Sequence, residues 1–282
     1  MKKPLIILTG PTAVGKTELS IRLAKMVNGA VISADSMQVY KYMDIGSAKI
    51  TPDQMQGVKH YLIDEFYPEE EFNVVRFQQY AKKYMQEIYE NNQIPIIAGG
   101  TGFYIQAVLY DIDFSSQDAD GKYRKQLEQL AEAQGALKLH QMLSQLDPAA
   151  AKAIHPNNKK RMIRALEFYR LTGRRISEHN ERERRKQSPY QSAYFVLNDE
   201  RSRLYDRIDQ RVDEMIKDGL IEEVRKLKEM GYTRNLVSMQ GLGYKELFPY
   251  FDNECTLEEA VSVIKRDTRH FAKRQLTWFK RE

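Results

Sequence analysis

With Cys255 as the only cysteine in 282 residues, the chain can build neither an intrachain disulfide framework nor a multi-cysteine zinc cluster. The lone thiol reads as inert, and its isolation fits a reducing compartment. Long apolar runs are also missing: no stretch approaches the roughly 20 residues of a membrane helix. The opening Met1-Lys2-Lys3-Pro4, followed by Leu5-Ile6-Ile7-Leu8, imitates a charged leader, but the apolar run stops at Gly10-Pro11, too short for one. A cytoplasmic protein without membrane contact is expected. There is no internal repeat and no low-complexity segment, so solenoids and disordered tails are not indicated.

Acidic residues are scarce in two places. Residues 152 to 186 hold twelve Lys and Arg against four Glu, and residues 265 to 282 hold seven against two acids. Local charges of +8 and +5 on a chain of net +5 leave the remainder at −8. Two basic segments on an otherwise acidic protein look like a footprint for a polyanion, with solvated helix faces as the plainer alternative.

The hydrophobic pattern predicts an α/β fold. Leu5 to Leu8, Ala30 to Ala34, Tyr61 to Ile63 and Ile94 to Ala98 are short apolar runs. Leu19, Leu23, Met26 and Val27, and then Phe77, Tyr80, Ala81, Tyr84, Met85 and Ile88, recur at helical spacing. Continuous apolar runs alternating with amphipathic helices imply a parallel sheet covered on both faces. Pro95 suits only a strand start or an edge. After Leu109 the chain turns polar and helical, and Tyr194 to Leu197 reads as one more strand. Helices are expected over Val212 to Met230 and from Thr256 to Lys280. The reading is a P-loop NTPase-like parallel-sheet core (1–113), an inserted all-helical subdomain (114–191), and core completion with a helical C-terminal region (192–282).

Gly10-Pro11-Thr12-Ala13-Val14-Gly15-Lys16-Thr17 matches G-x-x-x-x-G-K-[ST] between the first strand and the first helix. Glycines let backbone N–H groups converge on phosphate oxygens, the helix N-terminus adds partial positive charge, Lys16 adds a full one, and Thr17 is a candidate Mg²⁺ ligand. The motif predicts polyphosphate binding, ATP included, without naming the polyphosphate. Asp35, closing the second apolar run, is a candidate magnesium ligand, general base or helix cap. Asp64 is either a metal carboxylate or a strand-end turn residue. Gly99-Gly100-Thr101-Gly102 repeats the strand-to-glycine-to-helix arrangement and brings the Thr101 hydroxyl into play. Arg207 and Arg211, spaced i, i+4, are candidate diphosphate clamps or a solvated face. In the last helix, Val261, Ile264, Phe271 and Trp278 fall on one face, and Arg266, Arg269, Lys273 and Lys280 on another that is free to meet RNA.

Taken together, several segments resemble the tRNA dimethylallyltransferase family. They are residues 10 to 17, Asp-Ser-Met-Gln-Val-Tyr at 35 to 40, Met-Asp-Ile-Gly-Ser-Ala-Lys at 43 to 49, and His60 to Asp64. Gly-Gly-Thr-Gly at 99 to 102, Ile-His-Pro-Asn-Asn at 154 to 158, Arg161 to Glu167, and Lys273 to Trp278 complete the set. The resemblance implies transfer of a dimethylallyl group from its diphosphate to N6 of the adenosine 3′ of the anticodon in tRNA, with Mg²⁺. It implies Asp35 as general base, Asp35, Ser36, Met37 and Gln38 around the adenine, and Thr101 beside the reacting amine or diphosphate. It also implies that Arg124 with Lys159, Lys160, Arg161, Met162, Ile163 and Arg164 would contact tRNA, while the diphosphate roles of Lys16 and Arg211 rest on the loop motif and the i, i+4 spacing above. No obligate protein partner is expected. The alternatives are a P-loop kinase or NTPase, a transferase acting on free adenylate, and a non-catalytic RNA-binding protein regulated by nucleotide.

Overall fold

The computed structural model describes residues 2–114 and 121–281. Met1 of the charged opening, residues 115–120 of the inserted segment and Glu282 of the second basic segment lie outside the described residues. The described chain divides into two compact units, one of Met1–Leu109 with Ser188–Glu282 and one of Tyr110–Gln187.

The first unit is built on a five-stranded sheet. Its strands are β1 (Pro4–Thr9), β2 (Gly29–Ser33), β3 (His60–Tyr61), β4 (Ile94–Gly99) and β5 (Gln191–Val196), in the order β3-β2-β4-β1-β5. All pairings are parallel, with Ile7 opposite Ile97 on one side and Tyr194 on the other. β2 is buried at every position, and Leu5, Ile7 and Leu8 of β1 are buried, which is why these strands read as unbroken apolar runs. Pro95 stands second in β4 and pairs with Ala30. It occupies a strand start, as the sequence requires, although β4 is a central strand. β5 lies at the sheet edge and is mostly exposed.

Helices connect the strands. α1 (Lys16–Val27) follows β1, the single turn α2 (Pro52–Met55) precedes β3, α3 (Val74–Glu90) precedes β4, and α4 (Gly102–Leu109) follows it. In α3 the expected positions Phe77, Ala81, Met85 and Ile88 are buried, and Asn73 caps the first turn by accepting from the N–H groups of Val75 and Arg76. In α1 the expected face is corrected. Ser20, Ile21 and Ala24 are buried, Leu23 and Val27 pack only at the margin, and Leu19 and Met26 are exposed, Met26 to 83%. Small residues let α1 lie close to β2 and β4, so they, rather than the larger side chains, mark the inner face.

The helical unit comprises α5 (Lys122–Gln134), α6 (Ala136–Leu146), α7 (Pro148–Ala153), α8 (Lys159–Thr172) and α9 (Ile176–Arg184). Its core is formed by Leu127, Leu139, Leu143, Met162, Ile163 and Leu166 with intervening alanines. Buried Asp147 fastens α7 to the start of α9, accepting from the Ala150 N–H at 3.0 Å, the Ser177 N–H at 2.9 Å and the Ser177 hydroxyl at 2.7 Å.

After β5 come α10 (Arg201–Lys217), α11 (Leu220–Glu229), α12 (Phe248–Phe251) and α13 (Leu257–Phe279). The single helix expected over Val212 to Met230 is two helices, broken at Gly219, whose φ of 104° a side-chain-bearing residue resists. Arg207 and Arg211 therefore lie inside α10 rather than ahead of a helix. Thr256 and Glu259 form a reciprocal capping box that starts α13 at the expected place.

One carboxylate ties this C-terminal region to the loop at 43 to 49. Glu223 of α11 accepts the backbone N–H groups of Asp44, Ile45 and Gly46 at 3.0, 2.7 and 3.1 Å, and the hydroxyl of buried Tyr244 at 2.7 Å. Glu223→Ala leaves these four donors without their acceptor and is expected to cost about 2 kcal/mol of stability in urea unfolding. Glu223→Gln, which keeps one oxygen, is expected to lose about half of that.

Candidate functional site

Parallel strands deliver the loops that follow them to the same end of the sheet. The loop after β1 carries residues 10 to 17, the segment after β2 carries Asp35, and the turn after β4 carries Thr101. Because β2, β4 and β1 are neighbours, these three segments converge. Backbone hydrogen bonds extend the contact beyond the strands, from the Ala34 N–H to the Ala98 carbonyl at 2.8 Å and from the Thr101 N–H to the Ala34 carbonyl at 3.2 Å. Gly99 is required here because a Cβ would stand 2.3 Å from the Ala34 carbonyl oxygen.

The cleft at this end is lined by Lys16, Thr17, Ser20, Ser33, Asp35, Gln38, His60 and Gly99, with Val31, Ile50, Ile63 and Ala98 as its apolar walls. Lys16 folds across the loop, donating to the carbonyls of Gly10 at 3.0 Å and Pro11 at 2.7 Å. α1 begins at Gly15 without a side-chain cap, so its first N–H groups are left to a ligand. Ala13 packs its methyl against Leu204 and Ile208 of α10 and Ala272 of α13, with Val14 at the margin. These two residues can serve an anion only through their backbone.

Two cations lie near this point, each with an acid acting on it, Asp35 on Lys16 and Glu214 on Arg211. Burial pulls the Lys16 ammonium from 10.5 down to about 8, Asp35 nearby works against the shift, and Arg211 adds to it. The Arg211 guanidinium is lowered by its own burial, with Glu214 opposing and Arg207 reinforcing the effect. Arg207 is paired with Asp199. Sequence spacing alone left Arg207 and Arg211 equal, and the structure separates them: Arg211 faces the Lys16 site electrostatically while Arg207 is committed to an acid.

Asp35 holds its own turn, accepting from the Met37 N–H at 2.8 Å and, at the long distance of 3.4 Å, from the Gln38 N–H. Its second oxygen has no hydrogen-bond partner among the described residues. The Gln38 amide is largely engaged, accepting from the Ser33 hydroxyl at 3.1 Å and donating to the carbonyls of Ala48 at 3.1 Å and Ser47 at 3.3 Å. Ser36 and Met37 are half-buried beside it. Asp64 is corrected as a metal candidate. It pairs at 2.5 Å with Lys49, whose side chain is 4% exposed and also meets Asp44 at 2.6 Å, and it does not line the cleft. Among the described residues no group of three or more His, Cys, Asp or Glu is placed to hold a metal.

In the helical unit, Lys159, Lys160 and Arg161 are exposed on the first turn of α8, and Arg164 is half-buried. Met162 and Ile163 are corrected as RNA-contacting residues because both are buried in the core of the unit, Met162 completely. Arg124 makes a bidentate pair with Glu167, at 2.9 and 2.7 Å, and Glu167 is only 3% exposed. That guanidinium holds the fold of the unit. On α13, Arg269 is likewise paired, with Asp209 at 2.5 Å, so the basic face free for a polyanion is narrower than its sequence implies. Ile264 is buried there, while Val261, Phe271 and Trp278 are half-buried.

Two site residues were given no role by sequence reasoning. His60 lines the cleft, its Nδ1 lies 2.9 Å from the Val58 carbonyl, and its Nε2 is buried without a hydrogen-bond partner among the described residues. Burial lowers its pKa, so the ring is neutral near pH 7. Gln275 reaches both phosphate-side loops from α13. Nothing in local spacing marks either residue, since each depends on a contact across the chain.

The Lys16 shift has a sign that can be measured. Between about pH 8 and 10.5 the unfolded chain holds a proton that the folded chain has lost, so the ligand-free protein gains stability as pH rises through that window. A bound polyphosphate returns the charge to Lys16. Calorimetric titration with inorganic diphosphate at pH 8.5, in buffers of different ionisation heat, is expected to show more proton uptake for the wild type than for Lys16→Arg. Equal uptake would contradict the assignment.

Comparison with known proteins gives a consistent family. The family model described as IPP transferase matches residues 38–282. A tRNA dimethylallyltransferase of Lachnoclostridium phytofermentans is 66% identical over 280 residues, covering 99% of this chain and 90% of the relative. One of Clostridioides difficile is 53% identical over 282 residues, covering 100% and 90%. Residues 10 to 17 and Asp35 precede the family-model match and fall within these full-length alignments. Among solved structures, the full-length tRNA isopentenylpyrophosphate transferase of Bacillus halodurans superposes with a TM-score of 0.74 at 48% identity, covering 100% of this chain and 88% of that one. A eukaryotic dimethylallyltransferase acting on tRNA superposes with a TM-score of 0.87 at 31% identity, covering 98% and 69%.

Proposed function

We propose, from the premise that the chain belongs to the IPP transferase family, that it transfers a dimethylallyl group from dimethylallyl diphosphate to N6 of the adenosine 3′ of the anticodon in tRNA. The observation that carries the reading is that the Lys16 ammonium and the Asp35 carboxylate line one cleft at the strand ends, with Arg211 near enough to act on Lys16 electrostatically.

In the reaction the C1–O bond of the donor breaks, a C1–N6 bond forms, diphosphate leaves, and the proton displaced from N6 passes to a base. An adenine amine is a weak nucleophile because its lone pair is delocalised into the ring. A carboxylate that hydrogen-bonds the amine strengthens it and then accepts the proton. Asp35 has an oxygen free for this after its bonds to the Met37 and Gln38 N–H groups. Thr101, bonded through its backbone to the residue before Asp35, offers a hydroxyl to the same amine or to the diphosphate. Negative charge grows on the leaving group as the allylic carbon becomes cationic. The loop N–H groups, Lys16 and Arg211 stabilise it where it grows.

Mg²⁺ fits this donor set. Thr17 lines the cleft, is exposed and would hold the ion, and among the described residues no group of three or more acids or histidines is placed to hold it instead. When bound, it supplies further neutralisation of the diphosphate. The exposed Lys159, Lys160 and Arg161, with Lys273 of α13 and Lys280 just past its end, are assigned to the tRNA backbone. No helix among the described residues is long and apolar enough to cross a membrane, and action on tRNA assigns the protein to the cytoplasm.

The test is incubation with Mg²⁺, labelled dimethylallyl diphosphate and unmodified tRNA having adenosine 3′ of its anticodon, with AMP as the competing acceptor. Label is expected on tRNA alone; label on AMP, or tRNA-independent ATP turnover without label, would contradict the proposal. Asp35→Asn, which keeps the turn's acceptor, is expected to lower kcat by about 10²- to 10⁴-fold while tRNA affinity is retained. Arg211→Met is expected to raise the KM for the donor by about tenfold or more, measured at saturating tRNA.

A further inference from the structure

α13 has an inner face as well as an outer one. Gln275 on that inner face is 7% exposed, and both ends of its amide are in use. Its carbonyl oxygen accepts the Thr12 N–H at 2.9 Å, and its NH₂ donates to the Gly100 carbonyl at 3.0 Å. The first bond grips the phosphate loop in its middle. The second grips the turn immediately before Thr101. The fit leaves no slack, since a Cβ on Gly100 would stand 2.2 Å from the Gln275 amide nitrogen. One turn further along α13, the Trp278 ring meets Phe103 edge-on at 6.4 Å, so the same helix also contacts the first turn of α4.

We propose that Gln275 is a positioning residue that fixes the spacing between the loop holding the diphosphate and the loop holding the acceptor amine. This rests on the reading of residues 10 to 17 and Thr101 given above. Allyl transfer requires the breaking C–O bond and the attacking nitrogen to be nearly in line across a short gap, and misplacement by about 1 Å can cost 10²-fold in rate. The sheet alone does not set that gap beyond the strand ends. β1 and β4 are paired in register as far as Thr9 and Gly99, and among the described residues no backbone hydrogen bond joins the two loops to each other beyond that point. The Gln275 amide spans them one residue after the register stops, on the Gly100 side, and three residues after it on the Thr12 side. Its two functional ends match the two groups presented, an N–H and a C=O, which no hydrocarbon side chain of equal length does.

The inference predicts a defect in the chemical step rather than in ligand capture. Gln275→Met keeps the bulk and loses both bonds. Gln275→Asn keeps the amide but lacks the reach to bridge both loops. Both are compared with Ile264→Val, a buried change three turns earlier in α13 that touches neither loop. Single-turnover transfer with saturating donor and tRNA is expected to slow by about tenfold to a hundredfold in Gln275→Met and Gln275→Asn. The tRNA dissociation constant in filter binding is expected to stay within about threefold of wild type, and Ile264→Val is expected to transfer at about the wild-type rate despite a lowered melting temperature. Single-turnover rates for the Gln275 variants within about twofold of wild type, or losses that only follow melting temperature as in Ile264→Val, would overturn the inference. If the wild-type protein itself transfers no label, the functional reading fails and the inference with it, an outcome distinct from wild-type transfer that the variants share.

Discussion

Burial of the Lys16 ammonium, under the opposing fields of Asp35 and Arg211, is the constraint around which this end of the sheet is organised. Lys16 is lowered by its surroundings to about 8, Arg211 is lowered beside it, and Arg207, the neighbour that could have joined them, is paired with Asp199. Holding Lys16 out of water opposes its charged form when no anion is bound. A polyphosphate offsets that desolvation, with the Arg211 field as a smaller contribution. The packing beneath is correspondingly firm, with Ala13 seated between α10 and α13 so that the loop cannot spread to relax the charges.

Around that point, elements distant in sequence act on neighbouring loops. β2 delivers Asp35, β4 delivers Thr101, and β1 delivers the phosphate loop, all at one end because the strands are parallel. The C-terminal helices then secure what the strands release. Glu223 of α11 holds the backbone of residues 44 to 46, and Gln275 of α13 holds Thr12 and Gly100. A region that begins 90 residues after Thr101 thus sets the shape of loops made by the first hundred. The inserted helical unit needs no such help, since its core of leucines and alanines and its Asp147 and Glu167 anchors are internal.

Much of this arrangement was legible in the sequence, because the physics involved is local. Strands buried on both faces announce themselves as apolar runs, and a phosphate loop needs its glycines and Lys16 at fixed spacing. Thr256 and Glu259 mark a helix start by their own bonds. Errors arose where the deciding partner was far away. The inner face of α1 is made of Ser20, Ile21 and Ala24, two of them too small or too polar to count in a helical periodicity of large apolar residues. For Asp64 the sequence left a metal carboxylate and a strand-end turn residue open, and its ion pair with Lys49 favours the second. Met162 sat within a basic run that the resemblance marked for tRNA, yet its side of α8 points into the core. Gln275 sat within the Lys273 to Trp278 segment of the resemblance without a role, because its two contacts reach across 263 and 175 residues.

The claim on which the rest depends is that Lys16 and Arg211 together form a diphosphate site. Thermal unfolding with and without inorganic diphosphate and Mg²⁺ tests it most directly. At a ligand concentration about 100 times its dissociation constant, linkage adds about 2.7 kcal/mol to the folded state, a rise of several degrees in melting temperature. The account predicts that rise in the wild-type protein and its loss in Lys16→Met and in Arg211→Met. An unchanged melting temperature in the wild type, or an equal rise in both variants, would contradict it.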